Sequence, residues 1–405
     1  MTVISSDKSI VKTQRIIVLI FMAILCTSLS VLCYEVDQFS GYDAKPNIVD
    51  SADQVNAELN RLVDDAIASA NSKNKSIIPA FNYPCDSADK EKWNTSRMNL
   101  FVNLRDNLRT VGPVGTLERF AEKARSIDRR TVPVDQSVYA GLTVSQSIVP
   151  KVGINSIIRI GNSEIGTDKL GHFLSDGYDI YLKLKYVPAN STRISMTMME
   201  SKSWENGEFG RWSTGVFAYA DHSANYQGFL FWHKMCGLTS DGKSDSEKDF
   251  FKKHRCYPDS YLMCENGVWK RNPKNPIDLR VFIDDSWDES INCNSYDETI
   301  APQIFSQLSR RVYQWKGNPK QPCPRDPKKC LALVEKRIKT LNPICENVGN
   351  KLKKNLPIDP NVKFEYSVQE KWQKRAPTAG EKAKANNERD KKFMDDIKKL
   401  QEQRR

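Results

Sequence analysis

Beyond its first 33 residues, the sequence has no apolar run long enough to span a membrane, which argues against a multi-span membrane protein. The first 33 residues differ, because three basic side chains precede an apolar run that ends at Cys33. This order is typical of a secretory signal and predicts residues 1–33 as a signal peptide or an N-terminal anchor. The length of the run favours cleavage near Cys33. Both alternatives place the rest of the chain outside the cytoplasm, in a periplasm or secreted.

The sequence also lacks a phosphate-cradling P-loop, a dinucleotide-binding fingerprint and a G-x-S-x-G nucleophile elbow. These absences argue against the common nucleotide-dependent enzymes and serine hydrolases. We therefore expect no nucleotide cofactor. A divalent metal stays open as an alternative.

Zinc-binding cysteine spacing is absent as well. The chain has ten cysteines, of which eight follow the predicted signal. The pairs nearest in sequence, Cys256 with Cys264 and Cys323 with Cys330, are not spaced as C-x2-C, and no histidine pair lies nearby at ligand spacing. An even number of cysteines in an exported chain predicts up to four disulfides, whose connectivity stays open.

The formal net charge of +11 raises the question of nucleic-acid binding. Residues 371–405 contain twelve Lys or Arg and six Asp or Glu, so this tail carries about half of the excess. Mixed charge with few aromatics predicts a solvated helix or a disordered extension, with weak adhesion to anionic lipid or polymer as the alternative. We expect no nucleic-acid partner. A membrane lipid or an envelope polymer is the predicted partner.

Apolar residues recur at helical spacing in four stretches of the chain. They predict helices within residues 51–73, 95–110, 299–315 and 331–341. The segment "NSIIRI", which Gly161 and Asn162 follow, predicts a short strand.

From these stretches we expect a mainly α fold, with a helical core and a disulfide-stapled irregular C-terminal region. The predicted organisation has four segments. They are a signal or anchor (1–33), a helical core (45–240), a cysteine-rich region (241–366) and a charged tail (367–405).

The stretch "GTDKLGHFLSDGYDIY" contains one of only four histidines in the chain. On a helix, Asp168, His172, Ser175 and Asp179 share one face, while apolar side chains occupy the opposite face. This polar stripe fits a solvated helix face and a functional site equally well.

A second segment, residues 214–237, is apolar or aromatic around nearly its whole circumference, so its pattern predicts a buried helix. Asp221 and Asn225 lie one turn apart on it, and Gly228 extends their stripe. A buried carboxylate without a partner is costly, so Asp221 should be paired, and Gly228 should allow a close helix approach. The best-placed partners in sequence are Asp168, Lys169 and His172.

The two motifs "DKLGHF" and "DHSANYQG", in this order, resemble the VanZ-like and YfiM-like bacterial envelope proteins. The resemblance covers residues 155–235. It implies a small helical fold within a superfamily that also includes Wnt proteins and is proposed to act on lipid head groups or lipid-linked polymers. Because VanZ-like proteins have several membrane spans, the soluble YfiM-like arrangement is the better comparison. The matching positions are Asp168, Lys169, His172, Phe173, Asp221, Ala224, Asn225 and Gly228.

Two functions follow from these motifs. In the first, His172 is a general base or nucleophile of a transferase or hydrolase, and Asp168 fixes its tautomer. In that enzyme, Asp221 and Asn225 orient the histidine or the substrate. The predicted substrate-phosphate contacts are Lys169 and Arg159.

A variant of the enzyme uses Asp168, His172 and Asp221 as ligands of one divalent metal. The second function is non-catalytic. In it, the motif pair only fixes the crossing of two helices in an extracytoplasmic structural or binding protein, an arrangement we call the helix clamp.

Two further features have plainer interpretations. His222 is predicted to be a core histidine rather than a ligand. The acidic cluster of Asp284, Asp285, Asp288 and Glu289 lacks the spacing of a calcium loop, so a solvated turn is expected, with a hard cation as the alternative.

Overall fold

The computed structural model describes residues 35–74, 84–109, 114–185, 191–206, 210–211, 213–237, 253–311 and 323–356. All of them belong to one compact unit, residues 22–366. The predicted signal or anchor (1–33) and the predicted charged tail (367–405) lie outside the described residues.

The described chain is mainly α-helical, which confirms the predicted fold class. Its helices are α1 (Ala52–Asn74), α2 (Lys90–Leu108), α3 (Thr116–Lys123), α4 (Val149–Val152), α5 (Asp168–Gly171), α6 (Gly177–Leu184), α7 (Ser191–Glu205), α8 (Tyr219–Met235), α9 (Ala301–Arg311), α10 (Pro327–Glu335) and α11 (Pro343–Lys353). A π-helical turn (His172–Asp176) joins α5 to α6, and we call residues 168–184 the motif helix. Among the described residues, no helix combines the length and apolar character that crossing a membrane requires.

Three antiparallel pairs of short strands accompany these helices in the described residues. They are β1 (Ile157–Ile160) with β2 (Ser163–Gly166), β3 (Val216–Phe217) with β6 (Ser295–Tyr296), and β4 (Leu262–Glu265) with β5 (Val268–Arg271). The β1–β2 hairpin confirms the predicted strand. Because Asp168 follows β2 by two residues, the hairpin sets where the motif helix begins.

Helices α1 and α2 form where the apolar periodicity predicts them. The predicted core positions of α1, from Val55 to Ile67, are buried against the main core. Helix α2 begins earlier than its apolar pattern, because the Asp89 side chain accepts hydrogen bonds from the Glu91 and Lys92 amides as an N-cap. The predicted helices form in the predicted order, but α10 begins at Pro327 and ends at Glu335, before the end of the predicted 331–341 segment.

The predicted start of the buried helix at residue 214 is wrong. Helix α8 begins at Tyr219, and the preceding Val216 and Phe217 pair with β6 instead. Gly215 turns the chain with a φ of 82°, a conformation that a helix cannot continue through. Apolar periodicity alone did not separate this short strand from the helix.

One large hydrophobic cluster extends from α1 to the turn around Trp287. It therefore contains residues from both the predicted helical core and the predicted cysteine-rich region. Phe173 of the motif helix lies inside it, and its ring contacts the rings of Phe231, Phe282 and Trp287. The side of the motif helix opposite His172 is thereby fixed by packing.

Backbone contact fixes the crossing of the motif helix with α8. A Cβ atom on Gly177 would lie 2.5 Å from the Cα of Gly228, and a Cβ on Gly228 would overlap the carbonyl of Phe173. The Trp232 indole also donates a 2.9 Å hydrogen bond to the carbonyl of Leu174. The close approach expected at Gly228 is confirmed.

Replacing Gly228 should separate these helices. We expect Gly228→Ala to destabilise the fold by about 1–3 kcal/mol or more, because the new methyl group meets backbone that cannot rotate away. Gly161→Asn is the control, since a Cβ there meets nothing within 4 Å and Asn tolerates its left-handed φ of 60°. Urea unfolding compares the two. Equal stability of both variants would contradict a backbone-to-backbone crossing.

Disulfides join all eight cysteines of the described residues. The pairs are Cys85–Cys264, Cys236–Cys256, Cys293–Cys323 and Cys330–Cys345. The predicted number is confirmed, and the structure supplies the connectivity that spacing could not. Such pairs are compatible with an oxidising compartment.

The mature protein should therefore contain at most two free thiols, and peptide mapping without reduction should recover these four pairs. Closed loops of 179 and 15 residues differ in chain entropy, so losing Cys85–Cys264 should destabilise by about 5 kcal/mol against about 3 for Cys330–Cys345. Unfolding of the two double-serine variants measures this difference. Six or more free thiols in unreduced protein would contradict the pairing.

Candidate functional site

The buried ammonium of Lys169 is the centre of a charged network. Its Nζ atom lies 2.6 Å from Asp168, 2.5 Å from Asp221 and 2.6 Å from Glu289. The Lys169 side chain is 0% exposed. Three separate segments thus converge on one cation, namely α5, α8 and the loop after the Asp285–Trp287 turn.

Burial and charge act against each other on these groups. Burial lowers the pKa of Lys169, but the three carboxylates outweigh it and hold that pKa well above its usual value. Burial raises the pKa of Glu289 to about 8, although Lys169 opposes this. Burial also raises the pKa of Asp221, but His172 and Lys169 outweigh it and bring that pKa to about 2. Asp221 is therefore the ionised partner that both cations share.

The π-helical turn changes which side chains share the polar face. It contains one more residue per turn than an α-helix, so positions after it are rotated relative to the predicted stripe. His172 contacts Asp176, whereas Asp179 points to Arg109, 2.5 Å from its guanidinium. The predicted grouping of His172 with Asp179 is therefore wrong, and Asp176 takes that place.

The imidazole of His172 is held between carboxylates at both ring nitrogens. Nδ1 lies 2.8 Å from Asp176 and 3.8 Å from Glu205, while Nε2 lies 3.2 Å from Asp221. Burial lowers the pKa of His172, but Asp221 and Asp176 outweigh it and hold that pKa well above its usual value. Carboxylates at both ring nitrogens therefore favour the protonated ring, and His172 would act as a base or as a metal ligand after giving up a proton.

Asp168 does not fix the tautomer of His172 as predicted. Its carboxylate accepts from the Lys169 backbone amide at 2.9 Å and from the Lys169 ammonium. The imidazole is oriented instead by Asp176, four residues further on, and by Asp221 across the helix crossing. The reason is that Asp168 belongs to the buried side of the motif helix, with Lys169.

His172 and Asp176 form the part of the site that reaches solvent. Their side chains are 14% and 20% exposed, whereas those of Asp221 and Glu205 are 4% and 3% exposed. The network therefore runs from the fully buried Lys169 to the partly exposed His172. A substrate or ion would approach from the Asp176 side.

Asn225 links the site to α7. Its side-chain amide donates a 2.8 Å hydrogen bond to Glu205, and the residue is fully buried. Its carbonyl oxygen has no hydrogen-bond partner among the described residues. Burial and the charge of Asp221 hold the pKa of Glu205 well above its usual value, although His172 opposes this shift.

Two groups of side chains have the spacing of metal ligands. Asp168, His172 and Asp221 form one group, and His172, Asp176 and Glu205 form the other. In each, one possible ligand atom per residue lies within 4.8 Å of the others. The mixture of imidazole nitrogen and carboxylate oxygen suits a divalent metal.

Two more buried carboxylates lie behind the network. Glu118 accepts from the backbone amide of Gly115 at 3.0 Å and from Asn155 at 2.9 Å, and burial raises its pKa to about 8. Burial raises the pKa of Glu35 as well, and the charges of Asp221 and Glu289 add to this shift. The protonated, uncharged form of these two carboxyls is therefore favoured beside the network.

The structure brings together most of the residues predicted for the site. They are Asp168, Lys169, His172, Asp221 and Asn225. Arg159 is separate, since its Nε donates to the Gly161 carbonyl within the hairpin turn and it has no contact with His172 or Lys169 in the described residues. A substrate-binding role of Arg159 stays a prediction that its position does not support.

Sequence reasoning missed three members of the site: Asp176, Glu205 and Glu289. Asp176 is four residues after His172, a spacing that could have identified it. Glu289 stood in the flagged acidic cluster, but the expected solvated turn is wrong for two of its residues, Asp288 and Glu289. Asp288 is fully buried beside Ser290 and Arg325, and Glu289 is fixed by Lys169. No feature of the sequence indicated that Glu205 belongs to the site.

His222 is a core histidine, as predicted. Its Nδ1 lies 2.6 Å from the Ser201 hydroxyl, and its ring is buried. Burial, aided by the charge of Lys202, lowers the pKa of His222 to about 4. The neighbour of Asp221 in sequence therefore has no part in the network.

We compared the chain with known protein families, curated proteins and solved structures. No protein-family model, no curated protein and no solved structure matches the chain. The functional argument therefore depends on the geometry and on the two motifs.

The pKa of His222 predicts how stability varies with pH. Since its folded-state pKa of about 4 lies below the ordinary value of about 6.5, the unfolded chain binds the proton first and stability falls as pH drops through this window. Between pH 7.5 and pH 5 the loss from this residue should be about 2 kcal/mol. Urea unfolding of the wild type and His222→Asn at both pH values measures it. The variant should lose less stability on acidification; equal losses would contradict a neutral buried histidine.

Proposed function

We propose that this protein is an exported enzyme that hydrolyses or transfers phosphate esters of lipid head groups or lipid-linked polymers. His172 is the residue that meets the substrate, and Asp221, Asp176 and Asn225 hold it in place. The reaction class comes from the resemblance to VanZ-like and YfiM-like proteins. The assignment of roles comes from the geometry.

The single observation that carries the proposal is the convergence of the two resembled motifs on one partly exposed imidazole. His172 of the first motif lies 3.2 Å from Asp221 of the second, and its ring is partly exposed. A reactive side chain has to be both oriented and accessible, and His172 meets both conditions.

The amount of buried charge also favours a functional site. Five of the described carboxylates, Asp168, Asp176, Glu205, Asp221 and Glu289, surround two bases, Lys169 and His172. Taking charges out of water is expensive, and an apolar contact would join two helices at lower cost. Clusters of strongly perturbed groups of this kind are typical of functional sites.

The role of Lys169, one of the two predicted substrate-binding cations, differs from expectation within this proposal. Lys169 is saturated by three carboxylates and out of contact with solvent, so it acts as a positioning residue for Asp221 and Asp168. A substrate phosphate cannot reach its ammonium without breaking those ion pairs.

The alternative is the helix clamp of a non-catalytic envelope protein. The complete burial of Lys169 and the backbone contact between Gly177 and Gly228 favour it, because both fix a crossing without exposing anything. A helix clamp does not require His172 to be partly exposed, so this exposure favours the enzyme.

We also propose export to a periplasm or to the outside of the cell. The four disulfides support it, since they persist in an oxidising compartment. The predicted signal at residues 1–33 supplies the route.

Substitution of His172 separates enzyme from clamp. The assay follows phosphate-ester cleavage by phosphorus NMR, with vesicles of phosphatidylglycerol and phosphatidylethanolamine and with bis-p-nitrophenyl phosphate. We expect turnover by the wild type and a loss of about 10²-fold or more in His172→Gln, because glutamine keeps a hydrogen bond but cannot replace the imidazole. Thermal unfolding should show that the variant still folds.

His254→Gln is the matched control, since His254 lies on the segment before β4 and outside the network. It should retain wild-type turnover. Full turnover by His172→Gln would contradict the proposal. Absence of turnover by the wild type on every substrate, with and without added divalent cation, would favour the clamp.

A further inference from the structure

We propose that His172, Asp176 and Glu205 bind one divalent cation, and that this cation holds the phosphate of the substrate. The metal site stands on its own geometry. Its use for phosphate rests on the proposed function.

The spacing of the three side chains fits a small cation. Bonds of about 2.1 Å in regular geometry place neighbouring ligand atoms about 3.0–3.5 Å apart. Nδ1 of His172 lies 2.8 Å from Asp176 Oδ2 and 3.8 Å from Glu205 Oε1, which brackets this range. The possible ligand oxygens of Asp176 and Glu205 lie within 4.8 Å of each other.

The other group of possible ligands is a poorer site, although the sequence favoured it. Asp168 and Asp221 already bind the Lys169 ammonium at 2.6 and 2.5 Å. A divalent cation at Asp168, His172 and Asp221 would lie beside this fixed positive charge and be repelled. Asp176 and Glu205 have no ion pair with Lys169 among the described residues.

Asn225 provides an independent indication of a ligand. It is fully buried, its amide group lies against Glu205, and its carbonyl oxygen has no hydrogen-bond partner in the described part of the chain. Buried carbonyl oxygens are paired in nearly all native proteins, so an unpaired one indicates a missing partner. An amide oxygen is an ordinary ligand for a hard or borderline cation, and this one belongs to the side chain that contacts Glu205.

Access and charge agree with this placement. Asp176 and His172 form the exposed end of the network, so an ion can enter without unfolding the core. The carboxylates of Asp176 and Asp221 lie on either side of His172 and would repel an anionic phosphate ester. A bound divalent cation reverses this local field and supplies the positive charge that phosphate transfer requires.

The test is calorimetric titration of the full-length protein, freed of metal by a chelator, with ZnCl2 and with MnCl2. We expect one cation per chain for at least one of the two metals. Asp176→Asn and Glu205→Gln should each weaken binding by about 10-fold or more, because each removes a charged ligand. Asp179→Asn is the matched control, since Asp179 lies on the same helix but pairs with Arg109. It should change the affinity by less than about 3-fold.

Failure to bind either metal would overturn the site. So would unchanged binding in Asp176→Asn, which is partly exposed and tests the site even where Glu205→Gln does not fold. Weakening by Asp168→Asn but not by Glu205→Gln would also overturn it, in favour of the other ligand group.

The readout separates this inference from the proposed function. Metal binding with the expected variant pattern, but no turnover, supports the site and contradicts the enzyme. Turnover that survives complete chelation supports the proposed enzymatic function and contradicts the proposal that a bound cation holds the substrate phosphate.

Discussion

The ion pairs of Lys169 are the constraint on which the rest of the site depends. A fully buried ammonium is tolerated only where carboxylates surround it, and these come from three segments far apart in the chain. All three carboxyls help to hold the pKa of Lys169 well above its usual value. The same arrangement fixes Asp221, one oxygen of which faces Lys169 while the other faces His172. The orientation of the partly exposed His172 imidazole is thus set from inside the core.

Much of the fold could be predicted because it follows from local periodicity. Three features could be predicted without tertiary information: the apolar stripe of α1, the short strand before the first motif, and disulfides from the even number of cysteines. The pairing of Asp221 was predictable for a physical reason, since a carboxylate on an apolar helix cannot remain alone. The close approach at Gly228 could be predicted because a glycine on the stripe of Asp221 lets the backbones of two helices come together.

The rest depends on features that a linear pattern does not contain. The π-helical turn adds one residue to a helical turn, which exchanges Asp179 for Asp176 on the functional face. Glu289 looked solvated because its neighbours in sequence are acidic, and only the position of Lys169 explains its burial. Glu205 comes from α7, a helix with little amphipathic pattern, and reaches the site through a tertiary contact with Asn225.

Because of the glycine contact between the motif helix and α8, His172 and Asp221 are held more rigidly than Glu205. His172 and Asp221 stand on helices whose backbones touch, so the distance between their backbones can change only if one helix moves relative to the other. Glu205 stands on α7, which meets α8 through side-chain contacts such as Ser201 with His222 and Glu205 with Asn225. Such contacts yield by rotation about single bonds. The position of Glu205 can therefore adjust more easily than the positions of His172 and Asp221.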